Sequence, residues 1–433
     1  MHIVFSGIGG TGLGPLALIA HQAGYKVSGS DKQHSQYIDY LVEHGITDIH
    51  IGQTTEEIER VHTAQPIDWF VYSSAVAIEH PDAPELQFCQ ENEIRMSKRD
   101  ELLSFILEEK KLKMVAIAGT HGKTTTTAMA IWLCSRLGIS ISYSLGGKIS
   151  YGDMGHYEPG SEYFIYEADE YDYNFLAFHP HLSIITGVDW DHPDIYPTRE
   201  LYQDAYKRFI HQSKYTMLWT DDKYTLQLVP ADDLMFLSKE TPDIDKLLHL
   251  PGDVNRQDAW QVAKGFEYLT GRPLDTLIPQ LNAFPGVSRR FEQLVPLLYT
   301  DYAHTPPKIS GTLDTAEEVA GKSVVVVYEG LHNTRQHFIK DDLRHLFDNV
   351  KQLYIVPSYL AREDPKLHIL SPEDIKSFLS PEAQAKTTPS LLDTGLKDAI
   401  SGHLLKGDTV VLISAGGGGS LDEWARHHFS GAV

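Results

Sequence analysis

The sequence predicts an α/β protein of three domains, each built on a mostly parallel sheet. The chain has 433 residues, about three times the length of a typical domain. Short apolar runs alternate with helix-like stretches along it, and glycine-rich turns directly follow several of these runs. Such strand–turn–helix units form parallel sheets that bind ligands at the carboxyl ends of their strands. We expect the domains to cover residues 1–110, 111–285 and 286–433.

Composition and charge argue against several classes of partner. The net charge of −22 disfavours binding to nucleic acid or to an anionic membrane surface. Apolar runs are too short to span a bilayer, and the first run lacks the basic segment of a signal peptide. The two cysteines, Cys89 and Cys134, lack ligand spacing and are expected to be buried thiols of a cytoplasmic protein. A monomer and a homodimer are equally compatible with the sequence.

The first domain begins with a nucleotide-type turn. A strand over His2–Ser6 leads into Gly7-Ile8-Gly9-Gly10-Thr11-Gly12, and Asp31 lies about 20 residues after this turn, just past a second strand over Tyr25–Gly29. This fingerprint predicts a Rossmann-like domain, in which the glycines admit phosphates and the acid meets a hydroxyl group. Two serines after a later strand either contact the ligand or cap a local turn. The candidate ligand contacts are Gly7, Gly9, Gly10, Gly12, Asp31, Ser73 and Ser74.

The second domain begins with a phosphate-binding loop. The strand Met114–Ala118 leads into G-T-H-G-K-T and then a helix, which predicts a P-loop ATPase-type domain. Lys123 would neutralise the β- and γ-phosphates, and the Thr124 hydroxyl would ligate Mg²⁺. The candidate contacts in the loop are Gly119, Thr120, His121, Gly122, Lys123, Thr124 and Thr125.

Two further strands of this domain end in polar groups. The run E-A-D-E-Y-D begins at Glu167, which is the candidate second Mg²⁺ ligand, although the run can also be a solvated acidic loop. His192 follows another strand that is expected to be buried, Leu182–Val188. A lone histidine is more often structural, but three strand ends that converge on one phosphate loop make a ligand role for this histidine more plausible than usual.

The third domain alternates strands and helices again, which predicts a second Rossmann-like domain. Arg290 lies in a pair of arginines near the junction, where it binds phosphate or forms a surface ion pair. Asp301 and His304 follow a strand. Asn255, at the start of the preceding helix, is either a cap or a contact to a base.

These motifs, in this order, resemble the Mur ligase family. The resemblance rests on G-T-H-G-K-T-T-T, E-A-D-E-Y-D, a D-H after a strand, G-V-S-R-R-F-E and D-Y-A-H-T-P, and it spans essentially the whole chain. G-I-G-G-T-G, V-S-G-S-D, S-S-A-V and Y-L-A-R-E-D-P look most like the branch of the family that adds L-alanine.

The resemblance implies a cytoplasmic enzyme of peptidoglycan synthesis that uses ATP and Mg²⁺. It would join L-alanine to the carboxylate of UDP-N-acetylmuramate through an acyl phosphate. The glycines of the first turn, Asp31, Ser73 and Ser74 would hold the UDP-sugar. The residues implied for ATP beyond the loop are Asn255, Arg290 and Asp301; for the metal, Thr124, Glu167 and His192; and for catalysis, Lys123, His192, His304 and Arg335.

Other interpretations stay open at this point. His332-Asn333-Thr334 is closer to a ligase that attaches a preformed tripeptide to UDP-N-acetylmuramate. Some relatives carry a carbamylated lysine on the helix after the D-H, where Lys207 is the nearest lysine in this chain. A non-catalytic nucleotide-binding regulatory protein is a third interpretation, although the retained Lys123 and Glu167 speak against it.

Overall fold

A computed structural model describes residues 1–73, 76, 82–192, 195–321, 324–360 and 363–429. It contains three sheets, and most of the paired strands run parallel, which confirms the α/β fold class. Each sheet is interleaved with helices along the chain.

The first sheet is fully parallel and has the order β3-β2-β1-β4-β5. Its strands are β1 (His2–Ser6), β2 (Lys26–Asp31), β3 (Ile49–Ile51), β4 (Trp69–Tyr72) and β5 (Arg95–Ser97). The helices are Gly14–Gln22, Gln36–Glu43, Thr55–Ala64, Pro84–Glu91 and Arg99–Lys110. The strand order reverses at β1, so the crevice for a ligand opens at the carboxyl ends of β1, β2 and β4.

The second sheet has the order β12-β11-β10-β6-β9-β7-β8 and is parallel except for the pair β7–β8. Its strands are β6 (Lys113–Ala118), β7 (Ile141–Ser144), β8 (Gly155–His156), β9 (Tyr163–Glu167), β10 (Leu182–Ile185), β11 (Thr216–Trp219) and β12 (Leu234–Leu237). The helices are Lys123–Leu137, Arg199–Gln212, Thr220–Thr225, Asp243–Leu247, Asp253–Thr270 and Leu274–Asn282, with a 3₁₀ helix at Tyr171–Ala177. Because β6 lies between β9 and β10, the ends of these three strands meet at one edge.

The third sheet has the order β13-β14-β18-β15-β16-β17, with only β13–β14 antiparallel among its pairs in the described chain. Its strands are β13 (Glu292–Val295), β14 (Leu298–Asp301), β15 (Val324–Leu331), β16 (Gln352–Tyr359), β17 (Thr387–Pro389) and β18 (Thr409–Ile413). The helices are Pro306–Ala320, Asn333–Ile339, Pro372–Phe378, Pro381–Ala385, Thr394–Leu405 and Leu421–Phe429.

The valines of β15 explain why this strand is central. Val324 and Val326 belong to the apolar core on one face of the sheet, and Val325 and Val327 belong to the core on the other face. A strand buried on both faces needs a continuous apolar run, as is typical of parallel sheets covered by helices.

The chain divides into two compact units. The first unit comprises residues 1–248 and 258–284 and therefore contains the first two sheets, which share an apolar core. The second unit comprises residues 249–257 and 285–433 and contains the third sheet. The domain boundaries near residues 110 and 285 stay a prediction.

A glycine lets the first two sheets approach each other closely. The helix Gly14–Gln22 packs on β8, and a Cβ atom at Gly155 would lie only 2.4 Å from the Pro15 carbonyl oxygen. We expect Gly155→Ala to lower the free energy of unfolding by about 1–3 kcal/mol, because the contact is with backbone that cannot rotate away. Denaturant unfolding measures this loss.

Gly402→Ala is the matched control for this substitution. Gly402 lies in the helix Thr394–Leu405, and no atom of another part of the chain lies within 4 Å of the position that a Cβ atom would take there. At this position, alanine should stabilise the protein by about 0.5–1 kcal/mol through its higher helix propensity. Equal effects of the two substitutions would contradict the close approach at Gly155.

The structure agrees with the prediction for the two thiols. Cys89 and Cys134 are both buried and unbridged, and burial raises the pKa of the Cys89 thiol to about 12. Among the helices of the described segments, none is both long and apolar enough to cross a membrane.

Candidate active site

The glycine turn after β1 is held by its own strand neighbours. Gly7 has a φ of +88°, and its N–H donates to the Ser30 carbonyl at 2.8 Å. The Gly9 N–H donates to Asp31 Oδ2 at 2.9 Å, so the acid of the fingerprint fastens the turn. Ser73 Oγ accepts the N–H of Val76 at 3.3 Å, which is the turn-capping role. Ser74 lies outside the described residues.

The phosphate loop has the backbone shape that the motif predicts. Gly119 and Gly122 have φ values of +145° and +80°, which side chains rarely tolerate. A Cβ atom at Gly119 would also lie 2.1 Å from Thr186 Oγ1. Gly122 is the N-cap of the helix Lys123–Leu137, and no side chain caps the first N–H groups there. The helix therefore directs an uncapped, electropositive N-terminus at the loop, as an anion site requires.

Thr120 ties the loop to the turn after β10. Its hydroxyl donates to the Asp189 carbonyl at 2.6 Å and lies 2.8 Å from the Tyr202 hydroxyl. Its N–H donates to the Gly187 carbonyl at 2.8 Å. The polar groups of Thr120 are thus used inside the protein, and a contact to nucleotide stays a prediction.

Lys123 pairs with the carboxylate of Glu170, which is not among the site residues predicted from the sequence. Its Nζ lies 2.6 Å from Glu170 Oε2 and donates to the Gly119 carbonyl at 2.6 Å. The Glu170 side chain has no exposed surface, and that of Lys123 is 16% exposed. Burial lowers the pKa of Lys123, but the charge and hydrogen bond of Glu170 outweigh it, so the net pKa is raised. Lys123 is therefore a fixed cation at the phosphate loop.

Glu170 is the centre of a buried polar cluster. His192 Nε2 lies 3.7 Å from its Oε1, and the Tyr202 hydroxyl donates to the same oxygen at 3.4 Å. The Tyr196 hydroxyl donates to the Glu170 carbonyl. Glu170 thus lies next to both Lys123 and His192, two of the predicted site residues. The signal in the sequence was the fourth position of E-A-D-E, where a second glutamate follows the first by three residues.

Thr124 and Glu167, the two oxygen ligands that the sequence predicts for Mg²⁺, are joined by a hydrogen bond. The Thr124 hydroxyl donates to Glu167 Oε1 at 2.7 Å, and the Gly146 N–H donates to Oε2 at 2.7 Å. The described part of the chain contains no group of three His, Cys, Asp or Glu side chains that could hold a metal ion. Mg²⁺ usually keeps several waters and binds one or two carboxylates together with substrate phosphates. A hydroxyl and a carboxylate fit that donor set, and the metal-binding roles of Thr124, Glu167 and His192 stay predictions.

A cavity of about 270 Å³ connects the two glycine-rich turns of the first unit. Thr11 and Gly12 line one part of it, and Lys123 and Glu167 line another. Leu16, Ile19, Arg99, Leu103, Ser144, Leu145, Gly146, Tyr166 and Asp169 complete the lining. A ligand held at the first turn therefore has a path to the phosphate loop.

The residues predicted from the third sheet lie in the second unit. Asp301 accepts the N–H of Phe291 at 2.7 Å and that of Ala303 at 2.8 Å, so it shapes the turn after the arginine pair. Burial raises the pKa of Asp301, although Arg290 opposes the shift. The Arg290 guanidinium lies 4.8 Å from the centre of the Tyr302 ring. The amide of Asn255 donates to the Pro251 carbonyl at 2.7 Å, within its own helix start.

His304 is held as a neutral imidazole. Its Nδ1 lies 2.9 Å from the Tyr302 carbonyl, so the ring donates from this nitrogen. Burial lowers the pKa of His304 to about 3, and the charges of Lys308 and Arg335 act in the same direction. These charges place Arg335 in the electrostatic neighbourhood of His304, and the catalytic roles of both residues stay predictions.

The half-buried His304 makes the stability of the fold depend on pH. Its pKa is lower folded than unfolded, so the unfolded chain binds more protons and stability falls as pH drops below about 6.5. Between pH 8 and pH 5, His304 should lower the free energy of unfolding of the wild-type protein by about 2 kcal/mol. We expect this decrease to be absent from His304→Gln. Unfolding free energies at both values, with the exposed His211→Gln as control, measure the difference. A parallel pH dependence in both variants would contradict a neutral His304 imidazole in the folded protein.

Two family models match the first unit. The model described as "Mur ligase family, catalytic domain" matches residues 2–111. The model described as "Mur ligase middle domain" matches residues 117–234. Together they cover the first sheet, the phosphate loop and its neighbouring strands.

Curated relatives match most of the chain. It is similar to the UDP-N-acetylmuramate–L-alanine ligase of Clostridium perfringens, with 29% identity over 95% of this chain and 94% of that protein. The protein of the same name from Syntrophomonas wolfei is 30% identical over 84% of this chain and 83% of that protein.

Solved structures show the same fold. The UDP-N-acetylmuramate–alanine ligase of Thermotoga maritima has a TM-score of 0.76 at 24% identity, covering 99% of this chain and 98% of that one. A murein peptide ligase from Psychrobacter arcticus has a TM-score of 0.64 at 21% identity, covering 100% of this chain and 99% of that one.

Proposed function

Since the chain belongs to the Mur ligase family, we propose that it is an ATP-dependent amide ligase of peptidoglycan synthesis that joins L-alanine to UDP-N-acetylmuramate. The relatives are named for this reaction, which supports L-alanine as the amino acid that is joined to the sugar nucleotide. The carboxylate of the sugar would attack the γ-phosphorus of ATP, and ADP would leave. The amine of L-alanine would then attack the acyl carbon, release phosphate and lose a proton.

The phosphate loop is the observation that carries this proposal. The uncapped helix start at Gly122 would receive the phosphates of ATP, and Lys123 would neutralise charge on the transferred group. Thr124 and Glu167 would hold Mg²⁺, which supplies charge neutralisation at the phosphates. The glycine turn after β1 would bind the UDP-sugar, and the cavity would lead its carboxylate toward the loop.

The second unit would supply the remaining groups. Arg290 offers a cation and Tyr302 an aromatic face to which it is already stacked. His304, neutral because burial disfavours its charged form, can accept a hydrogen bond at its Nε2 from the amine of L-alanine. Arg335 would bind the carboxylate of the amino acid through its planar fork of donors.

An acceptor panel tests this function. Phosphate release is measured with ATP, Mg²⁺ and UDP-N-acetylmuramate together with L-alanine, glycine, L-serine or an L-alanyl-D-glutamyl-diaminopimelate tripeptide. We expect the highest kcat/KM with L-alanine and a product whose mass equals the two substrates minus one water. Omission of UDP-N-acetylmuramate is the control for ATP hydrolysis without ligation.

Two results would overturn the proposal. Activity with the tripeptide alone would make the protein a peptide-recycling ligase. Nucleotide binding without phosphate release from any acceptor would favour a regulatory protein that has lost catalysis.

A further inference from the structure

We propose that Arg99 binds the reacting carboxylate of the sugar substrate and directs it toward the phosphate loop. This inference rests on the proposed function, because it assigns a contact to the substrate of that reaction. Arg99 begins the helix Arg99–Lys110 of the first sheet and lines the cavity that also contains Lys123 and Glu167.

The position of Arg99 against the first glycine turn is one line of support. A Cβ atom at Gly12 would lie 2.9 Å from Arg99 Nη1, so the third glycine of the fingerprint makes room for the guanidinium. An arginine pressed against this turn lies beside the phosphates and sugar that the turn is built to hold. The same side chain reaches the second sheet, where its Nη2 lies 3.5 Å from Asp169 Oδ2. Arg99 thus spans the path between the two turns.

The charges around the cavity are the second line of support. Glu167 and Asp169 line it, and they would repel a substrate carboxylate unless a cation faced it. Of the described lining residues, Lys123 and Arg99 carry positive charge, and Lys123 is already 2.6 Å from Glu170. Arg99 is therefore the cation whose environment leaves it most able to accept a new anion.

The existing contacts of Arg99 leave hydrogen-bonding capacity. Its Nε lies 3.3 Å from Asp100 Oδ1, and its Nη2 lies 3.5 Å from Asp169, both longer than a strong charge-assisted hydrogen bond. A guanidinium has five N–H donors in a planar fork that matches a carboxylate. The two acids hold the side chain in place, and the remaining donors can bind a ligand.

A cycle of two ligands and two proteins tests this contact. The ligands are UDP-N-acetylmuramate and its lactyl methyl ester, which keeps the diphosphate but lacks the carboxylate charge. Dissociation constants are measured by calorimetry for the wild-type protein and for Arg99→Gln. We expect the wild type to prefer the acid over the ester by roughly 10- to 100-fold, and the variant to bind both alike.

Each other outcome overturns the inference. An equal loss of affinity for both ligands would place Arg99 on the diphosphate, and an unchanged preference for the acid would make the residue structural. Arg99→Lys retains the charge without the fork and serves as the second variant if glutamine unfolds the protein. Arg136→Gln, at the exposed far end of the phosphate-loop helix, is the matched control.

These results separate the contact from the function it assumes. If the wild-type protein ligates no acceptor, the proposed function fails whatever the ratio of dissociation constants. If it ligates L-alanine while the ratio is unaffected by the substitution, only the role of Arg99 fails.

Discussion

Replacement of Lys123 by methionine is expected to lower kcat for ligation on the order of 10³-fold, because the γ-phosphate loses its cation at the loop. The side chains have similar length and volume, so packing at the loop should change little. Initial rates of phosphate release at saturating UDP-N-acetylmuramate and L-alanine measure the effect. Lys113→Met is the matched control, because Lys113 lies at the opposite end of β6 in an exposed pair with Glu162.

The buried partner complicates a simple interpretation of this variant. Without Lys123, the fully buried Glu170 carboxylate loses its cation, which costs about 3–5 kcal/mol of stability. The double variant Lys123→Met with Glu170→Gln removes both charges and should recover much of the unfolding free energy. We expect it to remain inactive. Recovery of activity together with stability would show that the lysine serves the fold and not the phosphates.

The sequence predicted the strands and their end points where the apolar pattern was complete. β1 has the predicted bounds, His2–Ser6, and β18 coincides with the apolar run Thr409–Ile413, since all five residues of each strand are buried. The two-residue strand β8 is too short to carry a pattern and was not predicted. This strand pairs with β7, and Gly155 in it lies close to the Pro15 carbonyl. Both are tertiary contacts, which a local sequence pattern does not show.

β10 shows how side-chain hydrogen bonds limit such predictions. The apolar pattern extended this strand to Val188, but it ends at Ile185. The Thr186 hydroxyl donates to the His121 carbonyl, and the Val188 N–H donates to Asp222 Oδ1 at 2.9 Å. These bonds draw the backbone out of the sheet and into the phosphate loop.

The candidate site was predictable where one motif contains both its backbone and its chemistry. The phosphate loop meets that condition, and its glycines have the expected positive φ values. Glu170 and Arg99 do not, since their partners are 47 and 70 residues away in the chain. In the sequence, Glu170 is one acid in an acidic run, and Arg99 is a polar residue at the start of a helix.

Glu167→Gln is expected to lower kcat on the order of 10²- to 10³-fold and to raise the Mg²⁺ concentration for half-maximal rate. The single amide oxygen of glutamine can accept from the Gly146 N–H, and its NH₂ group can donate to the Thr124 hydroxyl oxygen, so the fold should persist while the anionic ligand is lost. Initial rates across a Mg²⁺ titration, at fixed ATP and substrates, measure both quantities.

Glu162→Gln, at the opposite end of β9, is the control for Glu167→Gln. Glu162 lies just before β9 and pairs with Lys113 in an exposed bridge worth at most about 1 kcal/mol. Glu162→Gln should leave both kcat and the Mg²⁺ requirement unchanged. If Glu167→Gln reduced the rate without altering the Mg²⁺ requirement, the carboxylate would act on the loop through Thr124 and not on the metal. A Glu167 side chain that only supported the fold would not change the Mg²⁺ concentration for half-maximal rate. A carboxylate that binds Mg²⁺ together with the phosphates would change it, so this concentration distinguishes the two roles.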